Sequence, residues 1–547
     1  MPVKYRSTRG GHHGMSFEDV VLGGLATDKG LYVPESVPAV SADEIESWRS
    51  LSFADLAHAI LSQYVSTDEI PSDDLRRLLH ASYKSFRSPD VTPVVKVGGV
   101  WVLELWHGPT FAFKDVALQF LGNLFEFFLE RRRARGEQAR LTILGATSGD
   151  TGSAAIYGMR GKKHMDCFIL FPEGRVSQIQ ERQMTTVEDT NIHCVSVEGS
   201  FDDCQAIVKA AFNDKEFRER VSLGAVNSIN WARVLAQMTY YFWAYFRVTD
   251  QQDTKGAPIH FSVPTGNFGD ILAGYYCRRM GLPLGKLLVA TNENDILHRF
   301  FTSGKYWREA NKVTISPSMD ICVSSNFERY LFHLAGDDTD VLSQWFADFE
   351  KTGKLTIEGD LLAKAQAEFV SASVAAEENL ANIKHQWEKN QYLFCPHSSI
   401  GAAAPPHCDL PVTETVVLAT AHPAKFPSAV GMVVTPMPPA PVELQRLYTL
   451  PTRKHQLPNS LAEVQGYMVQ VLDGDTALAE AAVVAAESAK EHGMTNGSHG
   501  TLVNGKSAGN GSGGSSGGGV SIRQAAVAAA AVAAVAAIVG AVFARRR

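Results

Sequence analysis

The chain has 547 residues, with 51 Lys and Arg against 58 Asp and Glu and a formal net charge of −7. At roughly 100–200 residues per domain this allows about three or four domains, and 45% hydrophobic with 20% charged residues excludes a wholly disordered or fibrous chain. Only one stretch is apolar for long enough to span a bilayer, which excludes a polytopic membrane protein. Residues 491–547 carry +4 and residues 1–490 carry −11, and a mildly acidic body is not that of a nucleic-acid binder. The seven cysteines include no CxxC pair. They read as reduced and buried in a cytosolic-type compartment, with neither a disulfide framework nor a metal site. Met1–Gly14 is basic, but no apolar run follows it, so no secretory signal is expected.

Residues 1–90 read as mostly helical. Ser52–Tyr64 sets Phe53, Leu56, Ala57, Ile60, Leu61 and Tyr64 on one face with Ser52 as N-cap, and Asp73–Phe86 repeats the pattern. Strands are then expected at Val100–Leu105, Leu141–Leu144, Cys167–Phe171, His193–Val197, Ile259–Val263, Leu287–Thr291 and Val416–Ala419. Most are separated by helical stretches, such as Asp115–Arg133 and the helix starting at Gly152–Gly158. This alternation predicts an α/β fold on parallel sheets. Asp475–Lys490 is an Ala-rich helix candidate. Residues 493–519 hold 11 Gly and 5 Ser and read as a linker. Ala525–Ala544 is 20 residues without a charge, followed by three arginines; at ~1.5 Å per residue it makes about 30 Å of helix, one bilayer core. Twelve of the 20 are Ala, which also suits an Ala-rich soluble helix.

Four clusters carry chemistry. Lys114 follows two phenylalanines in His107–Asp115 at a strand-to-helix junction. A lysine among apolar groups has a lowered pKa and can form a Schiff base; a lone lysine at a helix start is more often a surface residue. Ile259–Val263 runs into Pro264-Thr-Gly-Asn-Phe-Gly-Asp270 and a helix, an anion cradle of backbone N–H groups suited to one small phosphate. The same pattern also serves as a plain tight connection. Leu144–Ser153, with Thr147, Ser148, Gly149, Asp150, Thr151 and Gly152, offers donors to a carboxylate, or merely an N-capped helix start. Thr420 follows the strand Val416–Ala419, where ligands of α/β sheets bind. Its neighbours His422 and Lys425 read better as structural or surface residues. Together, an amine, a phosphate cradle, a carboxylate cradle and a hydroxyl are what a pyridoxal-phosphate enzyme acting on an amino acid requires.

HGPTFAFKD, ATSGDTGSAAIYG, GNFGDILAGYY, TNENDIL and TAHPAKF closely resemble threonine synthases of the fungal type, as do YRSTRG and Gly224–Phe242. The resemblance runs from Tyr5 to Phe426. It implies an α/β, fold-type II pyridoxal-phosphate enzyme (tryptophan synthase beta-like), with two parallel-sheet domains and an N-terminal helical region. The implied reaction converts O-phospho-L-homoserine and water to L-threonine and phosphate. The implied division is an N-terminal domain over 1–92, a large cofactor-binding domain over 93–117 and 256–472, and a small domain over 118–255. An Ala-rich helix (473–492), the linker (493–519) and a candidate transmembrane helix (520–544) follow. Carried over, Lys114 is the catalytic, cofactor-linked lysine. It takes the α-proton and then acts as base at the β-carbon, phosphate leaves from the γ-carbon, and water adds at the β-carbon. Gly266, Asn267, Phe268, Gly269 and Asp270 hold the cofactor phosphate, and Thr420 faces the pyridine nitrogen. Thr147–Gly152 holds the substrate carboxylate, with Arg160, Lys162 and Lys163 as candidates for the substrate phosphate. A cytoplasmic enzyme is expected, tethered by a tail anchor with membrane contact through 520–547. The rival readings are a phospho-lyase of similar architecture, giving a 2-oxo acid, and a membrane-tethered non-catalytic scaffold.

Overall fold

A computed structural model describes residues 3–474 of the chain. Near the N-terminus, Ser52 accepts the N–H of Asp55 and opens helix α1 (Phe53–Leu61), while Pro71 precedes helix α2 (Ser72–Tyr83). Each buries the apolar face expected of it; α1 ends three residues before Tyr64, which stays buried in the turn that follows.

Two sheets follow. Strands β1 (Val94–Val97) and β2 (Val100–Glu104) lead to helix α3 (Lys114–Ala134). Strand β3 (Leu141–Ala146) feeds helix α4 (Asp150–Met159), and β4 (Met165–Pro172) feeds α5 (Gln178–Thr185). Next come β5 (Ile192–Val197), the two-residue β6 (Leu223–Gly224) and the long helix α6 (Trp231–Gln252). Strand β7 (Ile259–Pro264), helix α7 (Gly269–Met280) and strand β8 (Leu284–Thr291) precede helix α8 (Phe327–Leu334). Strand β9 (Phe369–Ser373), helix α9 (Pro396–Ala403), β10 (Thr415–Ala419) and β11 (His455–Leu457) complete the set used below.

The six-stranded sheet has the order β9-β8-β7-β10-β2-β1, parallel except for β1. The five-stranded sheet has the order β11-β5-β4-β3-β6 and is parallel throughout. Continuous apolar runs make these strands because helices cover both faces of a parallel sheet. Helix α6 is buried along almost its whole length, including Trp231, Tyr240, Tyr241 and Phe246. Strand β11 belongs to the five-stranded sheet, although the chain before it runs through the six-stranded one. Leu457, with Val464, Met468 and Leu472 of helical residues 461–474, packs on Phe168, Leu170, Val195 and Val197.

The expectation of a tail anchor is corrected. No helix among the described residues is long and apolar enough to cross a membrane. The candidate span 520–544 lies outside the described residues, as do the linker 493–519 and most of the Ala-rich helix expected over 473–492. Alanine, 12 of the 20 residues in 525–544, adds little to insertion. The tail anchor, the membrane contact through 520–547 and the tethered localisation are therefore withdrawn.

Candidate active site

Three adjacent strands, β7, β10 and β2, deliver the first groups at their C-terminal ends, the side of an α/β sheet on which ligands bind. The segment after β2 ends in Lys114, the first residue of α3. The segment after β10 begins with Thr420. The two are bonded directly: the Phe113 N–H donates to the Thr420 carbonyl (2.7 Å) and the His422 N–H to that of Phe111 (3.1 Å). Phe111 lies in the left-handed region at φ 59°, a conformation that costs of order 1–3 kcal/mol and concentrates at functional sites.

Lys114 is buried, and its Nζ lies 4.7 Å from the centre of the Phe113 ring. Burial, joined by the charges of Lys425 and Arg233 and opposed by Asp150, lowers its amine to about 8. The turn before it is fixed by Asp115, which accepts the Thr110 N–H (2.8 Å) and hydroxyl (2.6 Å).

The loop after β7 carries open donors: the N–H groups of Gly266, Asn267 and Phe268 donate to nothing among the described residues. Gly266 packs closely under residues 318–321; a Cβ there would come within 3.0 Å of the Ile321 side chain. Phe268 turns the chain at φ 61° and caps α7, its ring seated against Phe327, Tyr330 and Phe369. Asp270 is held by the hydroxyls of Tyr240 (2.5 Å) and Tyr241 (3.0 Å), while its Oδ2 is buried without a partner among the described residues. Burial raises its carboxyl to about 6. Thr420 is buried; its N–H donates to the Ser398 hydroxyl (2.8 Å), which lies 3.4 Å from its own Oγ1.

Beyond β3, the Thr147 hydroxyl accepts the N–H groups of Gly149 (2.9 Å) and Gly152 (2.8 Å). Those of Ser148, Asp150 and Thr151 remain open at the start of α4. Gly149 at φ 147° forms the N-cap, so α4 begins at Asp150 and not at Gly152. Arg160, Lys162 and Lys163 are each engaged by carboxylates, Asp189 (2.7 Å), Glu126 (3.0 Å) and Glu130 (2.9 Å) respectively.

Two residues the sequence reading did not place in the site lie in it. Lys425 is fully buried, its Nζ 2.6 Å from Asp150 Oδ1 and 2.7 Å from the Thr110 carbonyl; Gln180 donates to the same Asp150 oxygen (2.8 Å). Burial alone would raise the Asp150 carboxyl, but the Lys425 and Lys114 charges outweigh it and hold it well below the usual range. Arg233, near the start of α6, is 4% exposed, and its Nε and one terminal nitrogen have no partner among the described residues. Burial pushes its guanidinium down to about 10. A buried cation without a carboxylate is costly unless an anion meets it. The signal for Arg233 was the one that singled out Lys114, a charge inside an apolar run.

Family models described as Threonine synthase N terminus, Pyridoxal-phosphate dependent enzyme and Threonine synthase, C-terminal match residues 4–83, 85–343 and 398–468. Threonine synthase of Schizosaccharomyces pombe is 49% identical over 463 residues, 79% of this chain and 90% of that one. Threonine synthase of Pseudomonas aeruginosa is 46% identical over 474 residues, 86% and 98% of the two chains. The crystal structure of pyridoxal-phosphate-bound threonine synthase from Brucella melitensis superposes with a TM-score of 0.82 at 44% identity, covering 86% of this chain and 99% of that one. By its fold, the arrangement of this site and these similarities, the chain belongs to the threonine synthase family.

Proposed function

We propose that the chain converts O-phospho-L-homoserine and water to L-threonine and phosphate with pyridoxal phosphate linked to Lys114. The observation that carries this reading is a buried amine with two anion-ready features near it: the open N–H groups of Gly266–Phe268 and the unpartnered guanidinium of Arg233. The residues fit the cofactor. Backbone donors at a helix start suit its phosphate, Thr420 offers a neutral hydroxyl to its ring nitrogen, and Gly269 and Asp270 complete the loop. Bound there, pyridoxal phosphate supplies an electron sink for negative charge at the substrate carbons.

The chain's own groups do the rest. The Lys114 amine, lowered toward neutrality, takes the α-proton and then acts as base at the β-carbon. The open N–H groups of Ser148, Asp150 and Thr151, with Thr147, Gly149 and Gly152 shaping the turn, receive the substrate carboxylate. Lys425 neutralises the Asp150 carboxylate, which would otherwise repel it. Arg160, Lys162 and Lys163 already serve carboxylates, so Arg233 is the cation we assign to the leaving phosphate. We retain the division into 1–92, a large cofactor-binding part over 93–117 and 256–472, and a small part over 118–255, but assign 455–474 to the small part.

The test assays phosphate, threonine and 2-oxobutyrate together from O-phospho-L-homoserine, with Lys114→Ala as control. Equal phosphate and threonine, lost with the yellow colour in Lys114→Ala, is the expected result. Phosphate with 2-oxobutyrate would establish the lyase instead, and no turnover by a yellow enzyme would remove the substrate assignment.

A further inference from the structure

Residues 314–329 cross the site without contributing any group assigned above. Their start is pinned by Asp320, which accepts from Asn292 (2.8 Å), Asn294 (3.2 Å) and the Thr314 hydroxyl (2.6 Å); this accounts for the asparagines of the TNENDIL motif. From there the segment clasps the loop after β7. Ser324 donates to the Gly266 carbonyl (2.8 Å), Ser325 to Asn267 Oδ1 (3.0 Å), and the Asn326 N–H to the Asn267 carbonyl (3.1 Å).

Asn326, fully buried, does more. Its Nδ2 donates both to the Asn267 carbonyl (3.1 Å) and to the Ser228 carbonyl (3.1 Å), five residues before Arg233. Its Oδ1 accepts from Arg329 (2.6 Å). The Arg329 guanidinium is itself fully buried and donates onward to the Ile229 carbonyl (2.6 Å) and the Tyr32 carbonyl (2.9 Å). A second link runs in parallel, with the Ser228 and Ser325 hydroxyls 3.2 Å apart. None of these donors serves a carboxylate. A buried guanidinium spent on two carbonyls and one amide oxygen fixes backbone position, because its planar fork sets the directions of all three bonds.

We propose that Asn326 and Arg329 are positioning residues that join the cofactor-phosphate loop to the segment leading into Arg233, so that the two phosphate sites keep a fixed separation. The inference rests on the assignments made above for Gly266–Asp270 and Arg233. Without the clasp, both sets of donors remain but lose register with each other, and displacements of this kind weaken binding at each site.

The test measures two constants on each variant of the full chain: the dissociation constant of pyridoxal phosphate, by titration of cofactor absorbance, and KM for O-phospho-L-homoserine at saturating cofactor. Asn326→Ala and Arg329→Lys are expected to raise both about tenfold, the effect of losing one or two hydrogen bonds at a site. Ser325→Ala, which removes one hydroxyl and leaves the asparagine in place, is expected to raise both about threefold, and it decides the matter should the others not fold. A rise in only one constant, or a lowered melting temperature with both constants unchanged, would overturn the proposal. Arg233→Ala separates it from the reading beneath it. A raised KM with unchanged cofactor affinity supports the assignment of Arg233, whereas an unchanged KM removes that assignment and the coupling with it.

Discussion

Lys425 and Asp150 form an ion pair in the interior, 2.6 Å apart, with 0% and 3% of the two side chains exposed. Removing one partner of such a pair leaves the other charged and dry, at a cost of about 3–5 kcal/mol. Lys425→Met is expected to lose stability on that scale, and the double variant Lys425→Met with Asp150→Asn to recover most of it in denaturant unfolding. Equal losses in single and double variants would show that shape, not charge, matters there. Lys114 behaves in the opposite sense. Its amine titrates near 8 in the fold and near 10.4 in an unfolded chain, so the unfolded chain binds the proton more tightly. Stability of the cofactor-free protein should therefore rise as pH goes from about 8 to about 10.4, by about 3 kcal/mol. Lys114→Met should be the more stable form at pH 7, with the gap closing toward pH 10; a gap independent of pH would falsify this. Lys114 was legible in the sequence because a charge stood inside a short apolar run. Arg233 carried the same signal, diluted over a 22-residue helix. Lys425 carried none, because its partner lies far along the chain and no local pattern reports a long-range ion pair.

Helices α3 and α4 bring Lys114 and Asp150 to the site at their N-termini, and they meet through glycine. A Cβ at Gly158 would lie 2.5 Å from the Leu118 carbonyl oxygen, and one at Gly122 would overlap the carbonyl of Gly158. Gly158→Ala must push the helices apart, and overpacking of this kind costs about 1–3 kcal/mol. Because the same contact sets the spacing of Lys114 and Asp150, kcat/KM should fall at temperatures where the variant remains fully folded. Activity that tracked only the folded fraction would sink this view. Most elements were readable from apolar runs, and the errors have local causes. Strand β8 begins at Leu284, three residues before its continuous apolar run, because the register shifts between Leu284 and Leu287. Strand β6 is two residues long, too short for any alternation to show.

The two-sheet architecture followed from strand–helix alternation, but the placement of residues 455–474 on the five-stranded sheet did not. Nothing in His455–Leu457 says which sheet it joins; only its pairing with Val195–Val197 does. Met468, fully buried against that sheet, tests the assignment: Met468→Ala should cost about 2–5 kcal/mol, as large-to-small changes in cores do. The loss should appear as earlier exchange of amide hydrogens in β4 and β5 rather than in the six-stranded sheet. Equal exchange in both sheets would place the residue's contribution elsewhere.

Strand β11 also has a consequence for how the chain is made. Its partner β5 leaves the ribosome some 260 residues earlier, so during synthesis the five-stranded sheet waits with one edge unpaired and the Val195 and Val197 face uncovered. Long-range pairing of this kind is slow to form, and exposed edges are where nascent chains associate wrongly. Translation must pass Leu457 before the smaller sheet can close.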